Sequence, residues 1–225
     1  MVLSNQFNMF SWSREIPFCD DIWLGMQVRN IPLVDLGILR PMEEQALEAY
    51  MERESTPSDI LMPLSALSQM WIFSLYEFLR TWRQRAIYLL RLSDEYNAVK
   101  AQDRAAFVKR AAESLEGKRR MLRIGPEMYA AHLAQFTDPT FVAKVRDYMQ
   151  KTEWLFRDAE ALRVTLAKHE VPKTPGYFAE APGYGRMNYR DGSMYWFIQL
   201  KDGSETKVDR RELGNAFLGI DDDPI

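Results

Sequence analysis

The chain of 225 residues contains 29 Lys and Arg against 32 Asp and Glu, which leaves a formal net charge of −3. Hydrophobic residues make up 47% of it and charged residues 27%. These values exclude disorder over most of the chain, because a disordered chain lacks the apolar surface that offsets the entropy lost on ordering. The length fits one large domain, or a main domain with a small appendage.

The sequence contains few features that indicate disulfide formation, secretion or membrane insertion. Cys19 is the only cysteine of the sequence, so no intrachain disulfide can form. The start of the chain, MVLSNQFNMFSWSR, lacks the basic residues and the continuous apolar run of a secretory signal. The uncharged stretch between Asp59 and Glu77 contains Pro63 and is shorter than the roughly 20 apolar residues of a spanning helix. We therefore expect a soluble, cytoplasmic protein without a membrane partner.

Residues 1–40 contain short apolar runs that Gly25, Pro32 and Gly37 interrupt. This pattern predicts an irregular arm, or short strands, wrapping the main body. Pro41 then favours the first position of a helix, where a missing N–H costs nothing. Glu43 in the first turn of that helix would complement the helix dipole.

The next helix is predicted from about Pro63 to at least Ser93. It is hydrophobic nearly all round in its first half, which is typical of the buried centre of a bundle. A helix rich in Ala, Lys, Arg and Glu follows from about Asp103 to Arg123. A shorter one is predicted over residues 126–136.

Thr137-Asp138-Pro139 is a strong helix start signal, since a capping residue precedes Pro at the first helical position. Apolar residues then recur at alternating spacings of four and three as far as His169, and Pro172 ends the helix. The recurring residues include Phe141, Val145, Tyr148, Thr152, Leu155, Ala159, Leu162 and Leu166. The stripe is wider than a two-stranded seam, so packing into a bundle is favoured over a free coiled coil.

Two Asp-Gly pairs, at residues 191–192 and 202–203, flank an alternating apolar run, which is the pattern of β-hairpin turns. The pattern predicts a three-stranded antiparallel meander over Arg186–Arg190, Ser193–Lys201 and Glu205–Asp209. A short helix from Arg210 to Leu218 and an acidic tail should follow. So small a unit needs to dock on the helices for its stability.

The predicted fold class is therefore mainly α, a long-helix bundle with a small C-terminal three-stranded antiparallel β-meander docked on it (α+β). The predicted organisation is an irregular arm (1–40), a helical bundle (41–171), a Pro/Gly linker (172–185), and the meander with its short helix (186–225), which should not be stable alone.

The first candidate site lies on the long central helix, where polar residues follow one another at spacings of three and four. Glu77, Arg80 and Arg83 stand near Trp71 and Trp82 in the sequence. They could line a pocket in which Arg80 or Arg83 holds an anionic small ligand. The alternative is that Glu77 and Arg80 form a simple i,i+3 ion pair.

The second candidate is the basic cluster of Lys118, Arg119, Arg120 and Arg123, which could contact phosphates of a nucleic acid. The alternative is an ordinary solvated helix face, because the whole chain is acidic and no aromatic residues interleave the cluster.

Two histidines and one cysteine argue against a His, Cys and carboxylate zinc site, and we expect neither a metal nor a cofactor. Arg163 and His169 stand six residues apart, a spacing that resembles the motif of the HEPN ribonucleases. The resemblance implies metal-independent RNA cleavage, with His169 as the base and Arg163 steadying the phosphate. Val164 departs from the polar residue usual in that family. The alternative is that His169 belongs to the seam or to the end of the helix.

No phosphate-binding Gly-rich loop, nucleophile elbow or dinucleotide-binding pattern occurs in the sequence. The seam and the many aromatic residues favour a non-enzymatic binding or assembly protein, a homo-oligomer or a partner of another protein. The alternatives are the HEPN-like ribonuclease or RNA-binding protein and the small anionic-ligand pocket.

Overall fold

The computed structural model describes residues 7–119, 131–168, 184–199 and 204–220. A π-helical turn covers Asp35–Leu39, and 3-10 turns cover Ala101–Asp103 and Gln135–Thr137. The longer helices are α1 (Met9–Glu15), α2 (Ile22–Val34), α3 (Arg40–Arg53), α4 (Ser58–Ala98), α5 (Arg104–Arg119), α6 (Pro139–Lys151), α7 (Glu153–Lys168) and α8 (Arg210–Leu218). The mainly α fold with a small sheet is confirmed.

Helix α4 is the centre of the bundle, as its sequence predicted. It contacts α2, α3, α6 and α7, and its inward side chains are almost fully buried. These include Leu64, Trp71, Ile72, Leu75, Phe78, Leu79, Trp82, Ala86 and Leu89. Pro63 lies within its first turns, so the helix begins before the residue predicted to open it.

The N-terminal region is helical, and the prediction of an irregular arm over residues 1–40 was wrong for the part that the structure describes. The side chain of Asn8 caps α1, and the side chain of Asp21 caps α2 by accepting from the Leu24 amide at 2.6 Å. Leu24, Val28 and Ile31 form the buried side of α2. Pro32 remains inside this helix, because burial of the inward residues outweighs the one hydrogen bond that proline removes.

The helix predicted over residues 139–170 is interrupted once. It consists of α6 and α7, which Thr152 separates with φ −96° and ψ 8°. The Thr152 hydroxyl donates to the Tyr148 carbonyl at 2.7 Å, a bond that commonly bends helices. The predicted seam is nevertheless buried on both sides of the bend, at Val145, Leu155, Ala159 and Leu162 among others.

The meander is confirmed as a sheet of order β1-β2-β3, formed by Arg186–Met187, Met194–Gln199 and Glu205–Asp209. Both strand pairs are antiparallel, with Tyr195 opposite Arg186 and Phe197 opposite Lys207. The first Asp-Gly turn is present, with Gly192 at φ 75°. The second one, residues 172–183 of the predicted linker (172–185) and the acidic tail lie outside the described residues.

The inner side of the sheet joins the core of the bundle. Alternation along β2 directs Met194, Trp196 and Ile198 inward, each 2% exposed, and β2 contacts α4 and α7. The predicted helix α8 begins immediately after β3, at an N-cap where the Asp209 side chain accepts from the Arg211 amide at 2.8 Å. Within the described residues, no helix is long and apolar enough to cross a membrane.

Candidate functional site

The five residues of the predicted anion site lie in different surroundings. Trp71 and Trp82 are buried, and their indole N–H groups donate to the carbonyls of Ile31 (3.0 Å) and Pro17 (2.8 Å). Glu77, Arg80 and Arg83 lie on the same helix, α4, but their side chains make other contacts.

Glu77 and Arg80 form an ion pair at 2.6 Å, with both side chains 45% exposed. The Arg83 guanidinium instead contacts Glu153 at 2.5 Å and lies 4.6 Å from the centre of the Phe156 ring. The structure therefore does not bring the two Trp residues and the Glu77–Arg80 pair into one pocket. The anion site stays a prediction.

The other predicted sites are only partly described. Arg163 lies in α7 with its guanidinium 5.4 Å from the Tyr76 ring, and its buried Nε has no hydrogen-bond partner among the described residues. His169 lies outside the described residues. Lys118 and Arg119 lie in the last turn of α5, whereas Arg120 and Arg123 are also outside. The ribonuclease and phosphate-contact hypotheses stay predictions.

His132, which is the histidine that the structure describes, and Cys19 are both buried. His132 Nε2 lies 2.6 Å from Asp20 Oδ1, and Cys19 is 1% exposed. Burial, with the Asp21 carboxylate adding to it, raises the pKa of the Cys19 thiol far above its usual range, so this thiol is a poor nucleophile. No group of three or more His, Cys, Asp and Glu residues could hold a metal ion in the described part of the chain.

The most conspicuous polar feature is a buried charge cluster that joins the sheet region to the N-terminal helices. Arg210, at the start of α8, is 0% exposed. Its Nε and Nη2 atoms donate to the two carboxylate oxygens of Glu43 at 2.5 and 2.7 Å, and its Nη1 donates to Asp35. Both carboxylates are also 0% exposed.

Two further arginines complete this cluster at its edge. Arg211 donates to Glu43 at 2.6 Å, and Arg40 donates to Asp35 at 3.1 Å. Burial acts to lower the pKa of the Arg210 guanidinium, but the carboxylates of Glu43 and Asp35 outweigh it and the pKa is raised. Arg210 therefore remains charged, and the cluster consists of paired ions held away from water.

The sequence pattern did not predict this cluster, and Glu43 was expected only to complement the dipole of a helix start. In the structure, Glu43 lies in the first turn of α3, but the preceding π-helical turn is continuous with it and Leu39 makes no side-chain cap. The ion pairs join residues 167 and 175 positions apart. No local spacing could reveal such pairs.

Arg210 and Arg211 directly follow β3, so the cluster joins the end of the sheet to α3. The outer side of the sheet carries exposed aromatic residues. We call this the aromatic face: Tyr184, Arg186, Tyr195, Phe197 and Lys207. Tyr184 and Phe197 are 65% and 54% exposed. The Tyr195 and Phe197 rings meet edge to face, with centroids 5.6 Å apart. An exposed aromatic surface on regular strands is suited to binding.

A second exposed apolar surface lies on α2. We call it the α2 stripe: Ile22, Trp23, Met26 and Leu33. These four side chains are between 47% and 50% exposed. Ile22, Met26 and Leu33 share one side of the helix with Arg29, at spacings of four, three and four residues. The outer side of α2 therefore carries four exposed apolar residues, interspersed with the polar residues Gln27, Arg29 and Asn30.

An open cleft of about 640 Å³ lies among α1, α6, α7 and α8. Trp12, Tyr148, Leu155 and Phe217 provide its apolar walls, and Lys144, Asp147 and Lys151 line its polar rim. Lys151 and Asp147 neutralise each other at 2.9 Å. The cleft is separate from the predicted anion site, since none of that site's five residues lines it.

Comparisons with known proteins add no assignment, because no protein-family model, no curated protein and no solved structure matches this chain significantly.

Proposed function

We propose that this chain is a non-enzymatic assembly protein that self-associates through the α2 stripe. The observation that carries the proposal is that α2 buries Leu24, Val28 and Ile31 on one side, while four large apolar side chains on its outer side, those of the α2 stripe, are about half exposed. Neighbouring exposed apolar residues on a surface helix commonly mark a protein–protein contact. A second copy of this chain would cover the outer side of α2.

The charge pattern of α2 favours a second copy as the occupant. No acidic residue lies in Ile22–Val34, and Arg29 is the only basic one. The Arg29 guanidinium lies 5.3 Å from the Phe10 ring. An isologous pairing through a two-fold axis would therefore bring apolar side chains together without burying carboxylates, provided that the Arg29 guanidinium stays at the edge of the contact against its Phe10 ring.

The size of the stripe predicts a weak dimer. Taking about 200 Å² as the full surface of a large side chain, four side chains at about half exposure supply roughly 400 Å² per protomer. A standard interface buries about 800 Å² per partner. We therefore expect dissociation in the micromolar range or above, and the monomer should remain folded.

The experiment is sedimentation velocity over a concentration series of the wild-type chain and of Met26→Glu. The variant places two carboxylates against apolar surface across the two-fold axis, and the dimer should weaken at least tenfold. Ile87→Glu is the matched control, because Ile87 is 55% exposed on α4 and should leave the dimer unchanged. A wild-type chain that stays monomeric at tens of micromolar contradicts the proposal, as does equal weakening by both variants.

A further inference from the structure

We propose that the aromatic face binds single-stranded nucleic acid, with bases stacking on its rings and phosphates meeting its cations. This site is separate from the α2 stripe, and the proposal does not depend on self-association. It uses none of the residues that the sequence singled out for RNA chemistry or phosphate contact.

Three aromatic side chains lie on the outer side of the sheet, where a base could stack on an exposed ring. Strand β2 directs Tyr195 and Phe197 to the side opposite the buried Trp196, because successive side chains of a strand alternate between faces. Tyr184 precedes β1 by two residues and is 65% exposed. Exposed aromatic side chains on a sheet stack two or three unpaired bases in several RNA-binding folds, and every base offers a flat ring for such contacts.

Two cations accompany the rings. The Arg186 guanidinium lies 5.6 Å from the Phe197 ring and 5.7 Å from the Tyr184 ring. No carboxylate of the described residues lies within ion-pair distance of Arg186. Its charge is therefore available to a phosphate while the guanidinium stays beside the rings.

Lys207 should contact a phosphate less strongly than Arg186 does. Its ammonium lies 4.5 Å from the Tyr195 ring, but also 3.6 Å from Asp209 Oδ2. That carboxylate already accepts hydrogen bonds from the Ser193 hydroxyl and the Asn188 amide. The face also carries the exposed Glu205 at one end of β3, opposite Gln199. A bound strand should therefore centre on Phe197 and Arg186.

These features favour an unpaired strand over a duplex or a protein. A duplex keeps its bases stacked on one another and offers mainly phosphates, which would leave Phe197 and Tyr184 without partners. An apolar protein surface would bury the Arg186 charge without compensation. An unpaired strand supplies both flat rings and negative charge.

The test is fluorescence anisotropy with labelled oligouridine and oligothymidine of about 12 nucleotides, within the range of known site sizes. Phe197→Ala should weaken binding about five- to 150-fold, the usual effect of losing a stacked base contact. Trp154→Ala is the matched control, because Trp154 is an exposed aromatic residue on α7, and it should bind like wild type. Circular dichroism verifies that both variants are folded.

The Arg186→Gln variant tests the contribution of charge to binding separately from that of base stacking. When salt rises from about 50 to about 200 mM, the slope of log affinity against log salt should be shallower by about 0.7 in this variant, the value for one phosphate contact on a single strand. Inorganic polyphosphate and a duplex of the same length serve as competitors, and both should compete poorly.

Several results would overturn the proposal. One is no binding of either oligonucleotide at tens of micromolar in low salt. Another is binding that Phe197→Ala leaves unchanged, or that polyphosphate or duplex displaces as well as the single strand does. Loss of binding in Lys118→Gln/Arg119→Gln, with Phe197→Ala unaffected, would move the site to α5 and also overturn it.

Discussion

Replacement of Arg210 by Met should destabilise the protein more than any surface substitution. Met retains much of the length and apolar volume beside the Trp71 ring, which lies 5.4 Å from the guanidinium, but removes the charge. Breaking a buried ion pair by removing one partner costs about 3–5 kcal/mol, because the other charge is left uncompensated. Asp35 keeps Arg40 and Glu43 keeps Arg211, so we expect the lower end, about 3 kcal/mol.

The assay is urea unfolding followed by circular dichroism. A loss of about 3 kcal/mol should lower the midpoint by at least about 1 M urea at the slopes of ordinary domains. Arg80→Met is the matched control, because the Arg80–Glu77 pair is equally short but half exposed, and its midpoint should stay close to wild type. Exposed pairs are weak because water already solvates both partners.

A double-mutant cycle completes the experiment. Glu43→Gln removes the charge that Arg210 faces while keeping the side-chain shape. The double variant Arg210→Met/Glu43→Gln should be less destabilised than the sum of the single variants, by about 1–3 kcal/mol, because neither ion is left buried alone. If Arg210→Met unfolds at the same urea concentration as Arg80→Met, the charge cluster does not fix the sheet to the bundle and the reasoning fails.

The remaining predictions concern backbone strain and a buried thiol. Gly192→Ala should destabilise the protein well beyond Gly219→Ala in urea unfolding. Both glycines have positive φ, but only at Gly192 would an added Cβ lie 2.0 Å from the Glu43 carbonyl oxygen. Equal losses of stability in the two variants would contradict this close contact. The raised pKa of Cys19 means that the unfolded chain loses a proton above its ordinary pKa of about 8.5 while the folded chain keeps it, so stability should fall as pH rises. At about pH 9.5 this loss should be on the order of 1 kcal/mol, and Cys19→Ala should lack that part of the pH dependence. An unchanged pH dependence of stability in this variant would contradict the raised pKa.

The elements whose partners are close in sequence could be predicted well. The alternating run around Trp196 and the Asp-Gly turn before it define the meander, because hairpin pairing is local. The seam through Val145 and Leu162 could be located from its period, because every third or fourth side chain of a helix shares a face. The bend at Thr152 could not be foreseen, since its sequence signal is weak.

The N-terminal region shows why local signals can mislead. Gly25 and Pro32 are ordinary helix breakers, yet both lie in α2. Gly25 packs so closely that a Cβ there would lie 2.7 Å from the Cys19 carbonyl oxygen, so the site requires a residue without a side chain. Tertiary burial overrides intrinsic propensity at these positions.

The aromatic face and the α2 stripe were likewise only partly predictable from the sequence. Alternation in β2 showed that Tyr195 and Phe197 share a face, but not that they remain exposed beside Arg186. The outer apolar side of α2 was visible only once its helical form was known. Exposure depends on which other elements cover a surface, and the sequence pattern alone does not show which elements those are.

The sequence by itself determined the helical bundle, its central helix, the terminal meander and the start of α8, because periodicity, turn residues and caps act over a few positions. Tertiary structure alone decided that Glu43, Asp35 and Arg210 meet in the core, that residues 22–34 form a helix, and which apolar faces remain uncovered. Charges placed far apart in the chain become partners only when folding removes them from water, and the cost of burying them alone makes their pairing obligatory.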